Sequence, residues 1–378
     1  MPPTTSHPQA KRRVLGIVCL GILAVIAVAG LRPFDPSPKN NVAWLADRHG
    51  LRFSSLGIAL STSSLVWPSP SPDATTLSLE IALRPDINAR TNNILTFYTP
   101  EAPQRFRLIQ WADSTLLLYR DFRNEHREMD IENTFRPGVP VFITVTAGPR
   151  GTAVYLNGVL KQRSTRLQLS RGDLSGQLVL GTSPLAAETW SGEIQGIALY
   201  GAELTPQQIS SHFDAWSRGA PQPSPPDEAP FALYNFSERS GNVARDRLGR
   251  APDLSIPASF QIPHKRFLGL PSRDFATSRS FLRDIFLNVA GFMVLGFFFC
   301  LYRATAGSSA KSAALLAVAA GAAISLSIET LQMFLPTRTS SIVDLAANTL
   351  GAVLGALLCA AMQVHRPRGN RHDIDTTV

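Results

Sequence analysis

The chain has 378 residues, enough for two domains, and its 44% hydrophobic residues are concentrated towards its two ends. The formal net charge of +8 comes without a basic stripe interleaved with aromatic residues, which excludes the usual signature of nucleic-acid binding. All three cysteines lie in apolar segments without ligand or disulfide spacing, so we expect no disulfide framework, zinc site or thiol nucleophile.

Four predominantly apolar segments are about as long as the ~20 residues that cross a bilayer. They predict transmembrane helices at residues 14–31, 284–302, 313–335 and 342–362. Basic residues occur in a tail at residues 1–13, at Arg303 and Lys311 between the second and third spans, and in a tail at residues 365–378. Because Lys and Arg in short flanking loops stay in the cytoplasm, we expect both termini there and the middle of the chain outside.

The first apolar segment has a second interpretation. A basic start, an apolar stretch and Ala27-Val28-Ala29 are also features of a cleaved signal peptide. An uncleaved signal anchor is favoured, because the stretch is longer than the usual apolar part of a signal peptide and four spans keep the basic C-terminal tail in the cytoplasm. Under either interpretation the middle region is exported.

Residues 40–217 have the pattern of an all-β domain. Short alternating stretches such as Leu77 to Leu83 are separated by Pro, Gly, Asn and Ser, which predicts an antiparallel sandwich or barrel. Asn157-Gly158 between two apolar stretches predicts a two-residue hairpin, since both residues tolerate positive φ. Thr205-Pro206-Gln207-Gln208 predicts a helix start with Thr205 as N-cap.

Two segments of this region resemble the concanavalin A-like, laminin-G-like jelly roll. They are VFITVTAGPRGTAVYLNGVLKQ at residues 141–162 and LVLGTSPLAAETWSGEIQGIALYGAELTPQQISSHF at residues 178–213. The resemblance implies two twisted sheets and a carbohydrate or protein ligand on the concave face or rim. Some relatives bind calcium, but this sequence has no acidic cluster with ligand spacing, so we predict neither a metal nor a cofactor.

Four aromatic side chains of this domain are candidates for a saccharide platform: Tyr98, Trp111, Tyr119 and Trp190. The favoured alternative is that they belong to the core of the sandwich, since aromatic residues on alternating strands are usually buried.

Residues 218–230 are rich in proline, which is typical of a stiff linker. The membrane-proximal segment at residues 231–283 follows, and its first part, residues 231–257, resembles the opening strand and turn of a further laminin-G-like unit. Because only this opening is present, we predict that it adds a strand to the preceding sandwich or lies across its edge.

Residues 284–364 resemble the VanZ-like family of bacterial membrane proteins, named for a glycopeptide-resistance accessory protein. Three motifs carry the resemblance: DIFLNVAGFMVLGF at residues 284–297, IETLQMFLPTR at 328–338 and DLAANTLGAVLG at 344–355. Val294 stands where many relatives have proline, and the inserted β domain is a further departure. The predicted fold class is therefore mixed, with an all-β jelly-roll sandwich outside the membrane and a bundle of four transmembrane helices.

The VanZ-like motifs place polar side chains near one membrane boundary, the outer one in the predicted topology. These candidate ligand-binding residues are Asp284, Asn288, Glu329, Gln332, Arg338, Asp344 and Asn348. The spacing Asp-x3-Asn-x2-Gly occurs at residues 284–291 and again at 344–351, which predicts two helix pairs related by a pseudo-two-fold axis around one site.

Structural explanations account for part of this pattern. Asp344 can belong to a helix cap, and Gly351 and Gly355 can form a small-residue packing face. Glu329 lies inside an apolar segment, so we expect a partner such as Arg338 or Asn288. A structural polar network and a ligand site are both consistent with the seven residues.

Three functional hypotheses remain open. The favoured one is a bacterial cell-envelope protein of the cytoplasmic membrane whose bundle binds a lipid-linked glycan or amphiphile, with Arg338 contacting an anionic head group, and whose β domain binds a saccharide. The second is a hydrolase or transferase acting on such a lipid, with Glu329 or Asp344 as general base. The sequence has no nucleophile paired with a base, no metal-ligand set and no phosphate loop, which favours a non-enzymatic role. The third is an anchor that carries a protein-interaction module. The sequence leaves the oligomeric state open.

Overall fold

Strands and long apolar helices occupy separate parts of the chain. The computed structural model describes residues 6–68, 74–86, 91–111, 114–122, 125–219, 230–270 and 279–364. Most of the predicted linker at 218–230 and the predicted tail at 365–378 lie outside the described residues. Contacts divide the chain into two units, Ser37–Lys265 on one hand and Met1–Pro36 with Arg266–Val378 on the other.

Within its described residues, the unit Ser37–Lys265 is built from antiparallel strands, one α-helix, α2 (Pro206–Ser217), and a short 3₁₀ helix at Arg171–Leu174. Its described strands are β1 (Val42–Trp44), β2 (Leu51–Phe53), β3 (Ala59–Ser61), β4 (Leu77–Pro85), β5 (Asn92–Tyr98), β6 (Phe106–Trp111), β7 (Thr115–Phe122), β8 (Glu125–Ile131), β9 (Val141–Gly148), β10 (Gly151–Leu156), β11 (Val159–Ser164), β12 (Gln177–Leu180), β13 (Gly192–Tyr200), β14 (Ala232–Tyr234), β15 (Val243–Ala244) and β16 (Leu254–Ser255).

These strands form two sheets. The first has the order β1-β2-β13-β4-β9-β10-β11, with β14 paired to β13, and the second has the order β15-β16-β3-β12-β5-β6-β7-β8. The core lies between the sheets because successive strand residues point to opposite faces. Leu95, Leu108 and Leu118 show this: they lie opposite one another on three neighbouring strands, and all three are fully buried.

Local structure at two sites confirms the turn and cap predictions. Asn157 and Gly158 join β10 to β11 with φ values of 51° and 81°, the left-handed geometry that a two-residue hairpin requires. At the start of α2, the Thr205 hydroxyl accepts a hydrogen bond from the Gln208 N–H at 3.3 Å. The Gln208 side chain in turn accepts one from the Thr205 N–H at 2.7 Å, which completes a capping box.

Helix α2 is tied to the first sheet by three buried polar side chains. His212 Nδ1 lies 3.0 Å from Glu80 Oε1, and the Tyr200 hydroxyl donates to Glu80 Oε2 at 3.0 Å. Because a buried carboxylate is costly unless it is hydrogen-bonded, these contacts fix the position of α2 on the sheet.

Residues 231–257 add strands to both sheets, as predicted: β14 pairs with β13, and β16 pairs with β3. Asp246 holds this segment together and is 6% exposed. Its carboxylate accepts hydrogen bonds from the backbone N–H groups of Leu233, Arg250 and Ala251 at 2.8, 2.7 and 2.9 Å.

The second unit contains four helices, within the described residues, that are long and apolar enough to cross a membrane. They are α1 (Ser6–Leu31), α3 (Arg279–Thr305), α4 (Ala310–Gln332) and α5 (Ile342–Val364). Helix α4 ends at Gln332, three residues before the predicted end at Leu335. Leu335 precedes Pro336, and a residue before proline disfavours helical geometry. A β sandwich and a helical bundle thus occur in one chain, which confirms the predicted mixed fold class.

Helices α3 and α5 pack closely through glycine. Gly351 lies against the backbone of Val289 and Met293, and Gly355 lies against that of Met293 and Phe297. Later residues of one helix contact later residues of the other, so the two helices run parallel. A side chain at either glycine would overlap backbone atoms of α3, as expected of a small-residue interface.

Replacing Asp246 by alanine should destabilise the β unit by about 3 kcal/mol, because three N–H groups, one buried and two partly buried, lose their acceptor. This corresponds to a fall in Tm of roughly 9 °C. All five tryptophans lie between Trp44 and Trp216, so tryptophan fluorescence of the full chain during heating reports on this unit. The control is Asp214→Ala, which removes an exposed carboxylate. Equal melting of the two variants would contradict the assigned role of Asp246.

Replacing Gly355 by alanine should destabilise the bundle by about 2 kcal/mol, because the added Cβ forces α3 and α5 apart. Gly291→Ala is the matched control, since a Cβ there meets no atom within 4 Å. It should be neutral or slightly stabilising. Cys300 and Cys359 are buried in the bundle, whereas Cys19 is only partly buried, so in a Cys19→Ala background a thiol-reactive fluorophore present during heating reports on bundle unfolding. A Gly355→Ala melting curve that matches the control would show that the close approach is not required.

Candidate functional site

The predicted polar residues of the bundle gather where α1 ends and α3 and α5 begin. The Asn288 side chain of α3 is hydrogen-bonded to the Asp344 carboxylate of α5. Asp284 and Arg338 also interact electrostatically with Asp344. Asp284 itself is half exposed, with one oxygen 3.8 Å from the Arg283 guanidinium. Glu329 interacts electrostatically with Asp344 as well, so Asp344 is the residue through which four of the other candidates interact.

Glu329 has a different partner from the predicted ones. It is 1% exposed, its Oε2 accepts a hydrogen bond from the Ser341 N–H at 2.7 Å, and the Ser340 side chain is also hydrogen-bonded to it. Among the described residues it forms no ion pair with Arg338 and no hydrogen bond with Asn288, so the expectation of such a partner was wrong. Glu329 instead holds the turn that precedes α5.

Arg338 and Gln332 stabilise the C-terminal end of α1. Arg338 Nη2 donates to the backbone oxygens of Ala29, at 2.8 Å, and of Arg32. Gln332 Nε2 donates to the Gly30 oxygen at 2.9 Å. The last carbonyls of a helix have no partner within the helix, so these two side chains act as caps.

Asn348 breaks the predicted internal symmetry. It is 5% exposed and donates to the Ser325 hydroxyl of α4 at 2.9 Å, whereas Asn288 is bonded to Asp344. Gly351 packs against α3, whereas Gly291 has open space beside it. The two Asp-Asn-Gly motifs therefore make different contacts, and these contacts do not form the predicted pseudo-two-fold arrangement.

An apolar groove of about 760 Å³ runs along α1 beside Arg338. Val25 and Val28, which are 69% and 58% exposed, lie on its apolar wall, and Arg32 and Arg338 lie at one end. Arg32 and this face of α1 were not among the predicted site residues. Arg32 could have been predicted as a residue of the membrane boundary, because it directly follows an uncharged apolar helix.

The predicted saccharide platform in the β unit is only partly formed. Trp190 is fully buried, packs against Phe53 with ring centroids 6.3 Å apart, and donates to Gln110 Oε1 at 2.7 Å. The structure therefore excludes Trp190 from a surface platform and places it in the core, the favoured alternative for this residue.

Tyr98, Trp111 and Tyr119 share the outer face of the second sheet, since Arg107 lies opposite both Thr96 and Tyr119. Trp111 lies four residues further along β6 than Arg107, which corresponds to about 13 Å along the strand. Trp111 is 36% exposed, and Tyr98 and Tyr119 are half-buried. The three rings therefore do not form one compact platform.

Both tyrosines of this face are already engaged. The Arg107 guanidinium lies 4.2 Å from the centroid of the Tyr119 ring, and the Tyr119 hydroxyl lies 2.8 Å from His126 Nδ1. The Tyr98 hydroxyl lies 3.1 Å from His264 Nδ1. Burial, and secondarily the Glu101 carboxylate, raises the pKa of Tyr98, so this hydroxyl remains protonated and can donate a hydrogen bond.

No group of three His, Cys, Asp or Glu side chains able to hold a metal ion occurs in the part of the chain that the structure describes.

Two family models match separate parts of the chain. Residues 236–363 match VanZ/LLP1, and residues 60–210 match Laminin_G_3 of the concanavalin A-like lectin/glucanases superfamily. No curated protein matches the chain.

Several solved structures are similar to this chain at low identity. One is a Bacteroides ovatus protein described as carbohydrate-binding, with 14% identity over 57% of this chain and 61% of that one and a TM-score of 0.40. Another is a heptameric SAP-like pentraxin from Limulus polyphemus, with 17% identity, coverage of 59% and 96%, and a TM-score of 0.36. A third is the CBM40 module of the Ruminococcus gnavus IT-sialidase bound to α2,3-sialyllactose, with 15% identity, coverage of 43% and 96%, and a TM-score of 0.33.

This chain spans about three fifths of the length of the Bacteroides ovatus protein. At these identities and scores the likenesses carry no argument about ligands. The two family matches and the four apolar helices lead to one conclusion: the chain is a membrane protein that combines a VanZ-like helical region with a concanavalin A-like, lectin-like β domain.

Proposed function

We propose that this is a bacterial cell-envelope protein of the cytoplasmic membrane whose bundle binds an amphiphile with an anionic head group, such as a lipid-linked glycan, at the outer leaflet. Its β domain binds a saccharide. The observation that carries the proposal is the groove along α1, which joins an exposed apolar wall to the guanidinium groups of Arg32 and Arg338.

The groove has the two chemical parts that such a ligand requires. The wall formed by Val25 and Val28 can pack against an acyl or polyprenyl chain. A guanidinium group presents donors in a planar fork that matches phosphate oxygens, and it stays charged near a membrane. Arg338 is held at the end of the groove by its bonds to the end of α1, so its position is preorganised.

Three of the other six predicted residues support this site indirectly. Glu329 and Gln332 hold the α4–α5 turn and the end of α1, and Asp344 interacts with Arg338. The enzyme hypothesis has less support, because the Glu329 carboxylate is bonded to Ser340 and Ser341 instead of facing an open site.

The membrane orientation rests on the distribution of basic residues. Arg303 and Lys311 flank the α3–α4 turn, and the Arg12 guanidinium lies 5.5 Å from the centroid of the Tyr302 ring, at the same end of the bundle. Basic residues in short loops favour the cytoplasmic side, so the end with Arg338 faces outward and the β domain lies outside the cytoplasm.

For the β domain, the jelly-roll family supports saccharide binding. Tyr98 and Tyr119 both lie on the outer face of the second sheet and remain separate candidates for contacts with a sugar. The remaining alternative is an anchor with a protein-interaction module, which co-purification of one envelope protein with the full chain, without glycan binding, would favour.

Replacing Arg32 by glutamine should weaken binding of a polyprenyl-diphosphate-linked disaccharide about tenfold, since one charge-assisted hydrogen bond is lost. Val28→Trp should also weaken it, because the indole fills the groove while both charges remain. Arg32 is preferable to Arg338 for this test because the Arg338 side chain also caps α1. Binding is measured by titrating the detergent-solubilised full chain with the fluorescently labelled lipid.

The matched control is Arg283→Gln, which removes a 72% exposed guanidinium at the start of α3, outside the groove. Competition with phosphatidylglycerol and phosphatidylcholine separates recognition of a lipid-linked glycan from general attraction to anionic lipid. If Arg283→Gln weakens binding as much as Arg32→Gln, or if phosphatidylcholine competes equally, the groove does not recognise an anionic head group.

The orientation makes its own prediction. In a chain whose three native cysteines are replaced by alanine, a membrane-impermeant maleimide should label Ser64→Cys in intact spheroplasts and should label Lys311→Cys only after lysis. Both positions are exposed, so burial does not limit either reaction. Labelling of Lys311→Cys without lysis would reverse the topology.

A further inference from the structure

The β unit contains a mixed polar and aromatic pocket of about 580 Å³ that includes none of the predicted platform residues. It lies on the outer side of the first sheet, at the C-terminal end of α2. Its volume falls within the ~300–1,000 Å³ of typical ligand pockets. The pocket could not be predicted from the sequence, because its lining residues come from distant parts of the chain.

Three aromatic rings form the apolar part of the pocket. Phe142 projects from β9, and its ring centroid lies 6.1 Å from that of Phe213 and 5.9 Å from that of Trp216, both on α2. Phe142 is 4% exposed, whereas Phe213 and Trp216 are half-buried. The two helix rings therefore present surfaces on which the apolar face of a pyranose can pack.

The polar part of the pocket carries an excess of positive charge. Arg48, Arg84 and Arg239 line it, and Asp47 is the acidic side chain among the described lining residues. The buried Glu193 carboxylate holds Arg48 at 3.0 Å and lies 3.7 Å from Arg84 Nε, which positions both guanidinium groups. Asp47 also pairs with Arg48, at 2.5 Å, so two of the three arginines already have a carboxylate partner, and Arg239 is left to face a ligand.

Arg239 differs from the other two arginines. It is exposed and makes no ion pair with another described residue. Its backbone has a φ of 56°, and Phe236 in the same loop has a φ of 50°. Left-handed backbone geometry is uncommon for residues with bulky side chains. Where it occurs, it is concentrated at functional sites.

Three side-chain amides complete the lining: Asn157, Gln195 and Asn235. Amides can donate to and accept from sugar hydroxyls, aromatic rings pack on sugar C–H groups, and the guanidinium fork matches a carboxylate. We infer that this pocket binds a saccharide that carries carboxylate groups, such as an oligomer of hexuronic acid. The inference rests on the proposed function only in taking the ligand of the β domain to be a saccharide.

The test titrates the detergent-solubilised full chain with tetragalacturonate by calorimetry. The fully methyl-esterified tetramer, in which each carboxylate is replaced by a neutral methyl ester, should bind at least tenfold more weakly. Arg239→Gln should weaken binding of tetragalacturonate about tenfold, and Trp216→Leu should weaken binding of both tetramers. Tryptophan fluorescence during heating checks that each variant is folded.

Two control variants locate the effect. Arg218→Gln removes an exposed arginine next to the pocket but outside its lining, and Arg127→Gln removes an exposed arginine from β8 of the other sheet. Both should bind tetragalacturonate like the original chain. Equal loss in Arg218→Gln, or loss only in Arg127→Gln, would overturn the assignment of the pocket.

Ligand class is tested in the same way. Tetraglutamate of equal charge should bind at least tenfold more weakly than tetragalacturonate, and equal binding would make the pocket a site for acidic peptides and overturn the proposal. Absence of tetragalacturonate binding would also overturn it. The lipid titration in the bundle is a separate measurement, so failure here leaves the proposed groove untouched.

Discussion

The membrane unit depends on one constraint: backbone groups at helix ends need partners where hydrocarbon replaces water. The end of α1 receives them from Arg338 and Gln332, and the turn before α5 receives one from Glu329. Three conspicuous polar residues of the VanZ-like motifs thus have a structural task. An intramembrane ionisable residue is often taken as a mark of function, but here the geometry first assigns it to holding the bundle together. Close packing of α3 on α5 through glycine adds the second structural requirement of this region.

This structural task does not compete with ligand binding at Arg338. A guanidinium group has five donors, and its Nη2 serves the end of α1. The same bonds that satisfy α1 fix the side chain at the end of the groove, where Arg32 provides a second positive charge. A preorganised fork loses little conformational freedom when an anion binds, so capping and recognition reinforce one another. Asp344 is close enough to interact with Arg338, which lowers the net positive charge at this end of the groove.

Much of the fold could be predicted from the sequence because it follows from local rules. The length and apolarity of four segments indicated the membrane spans. The pair Asn157-Gly158, whose residues tolerate positive φ, indicated the hairpin. The hydrogen-bond partners of the polar residues could not be predicted in this way. Spacing shows which residues share a helix face, but the hydrogen bond from the Ser341 N–H to Glu329 depends on how the helices pack. For Trp190 the sequence favoured the core but left a surface platform open, because this residue precedes its strand, where alternation does not define a face.

The groove and the pocket combine arginine with apolar surface in different solvents, and this difference decides what each can recognise. Near hydrocarbon the attraction between a guanidinium and a phosphate is weakly screened, so a few charges suffice and the chain of the ligand contributes by burial. In water the same attraction is screened over ~10 Å, so the pocket needs several contacts of modest strength acting together. Its lining offers aromatic rings, amides and arginines, which suit different parts of the proposed sugar ligand. The two proposed sites therefore use arginine in different ways, and each way fits its surroundings.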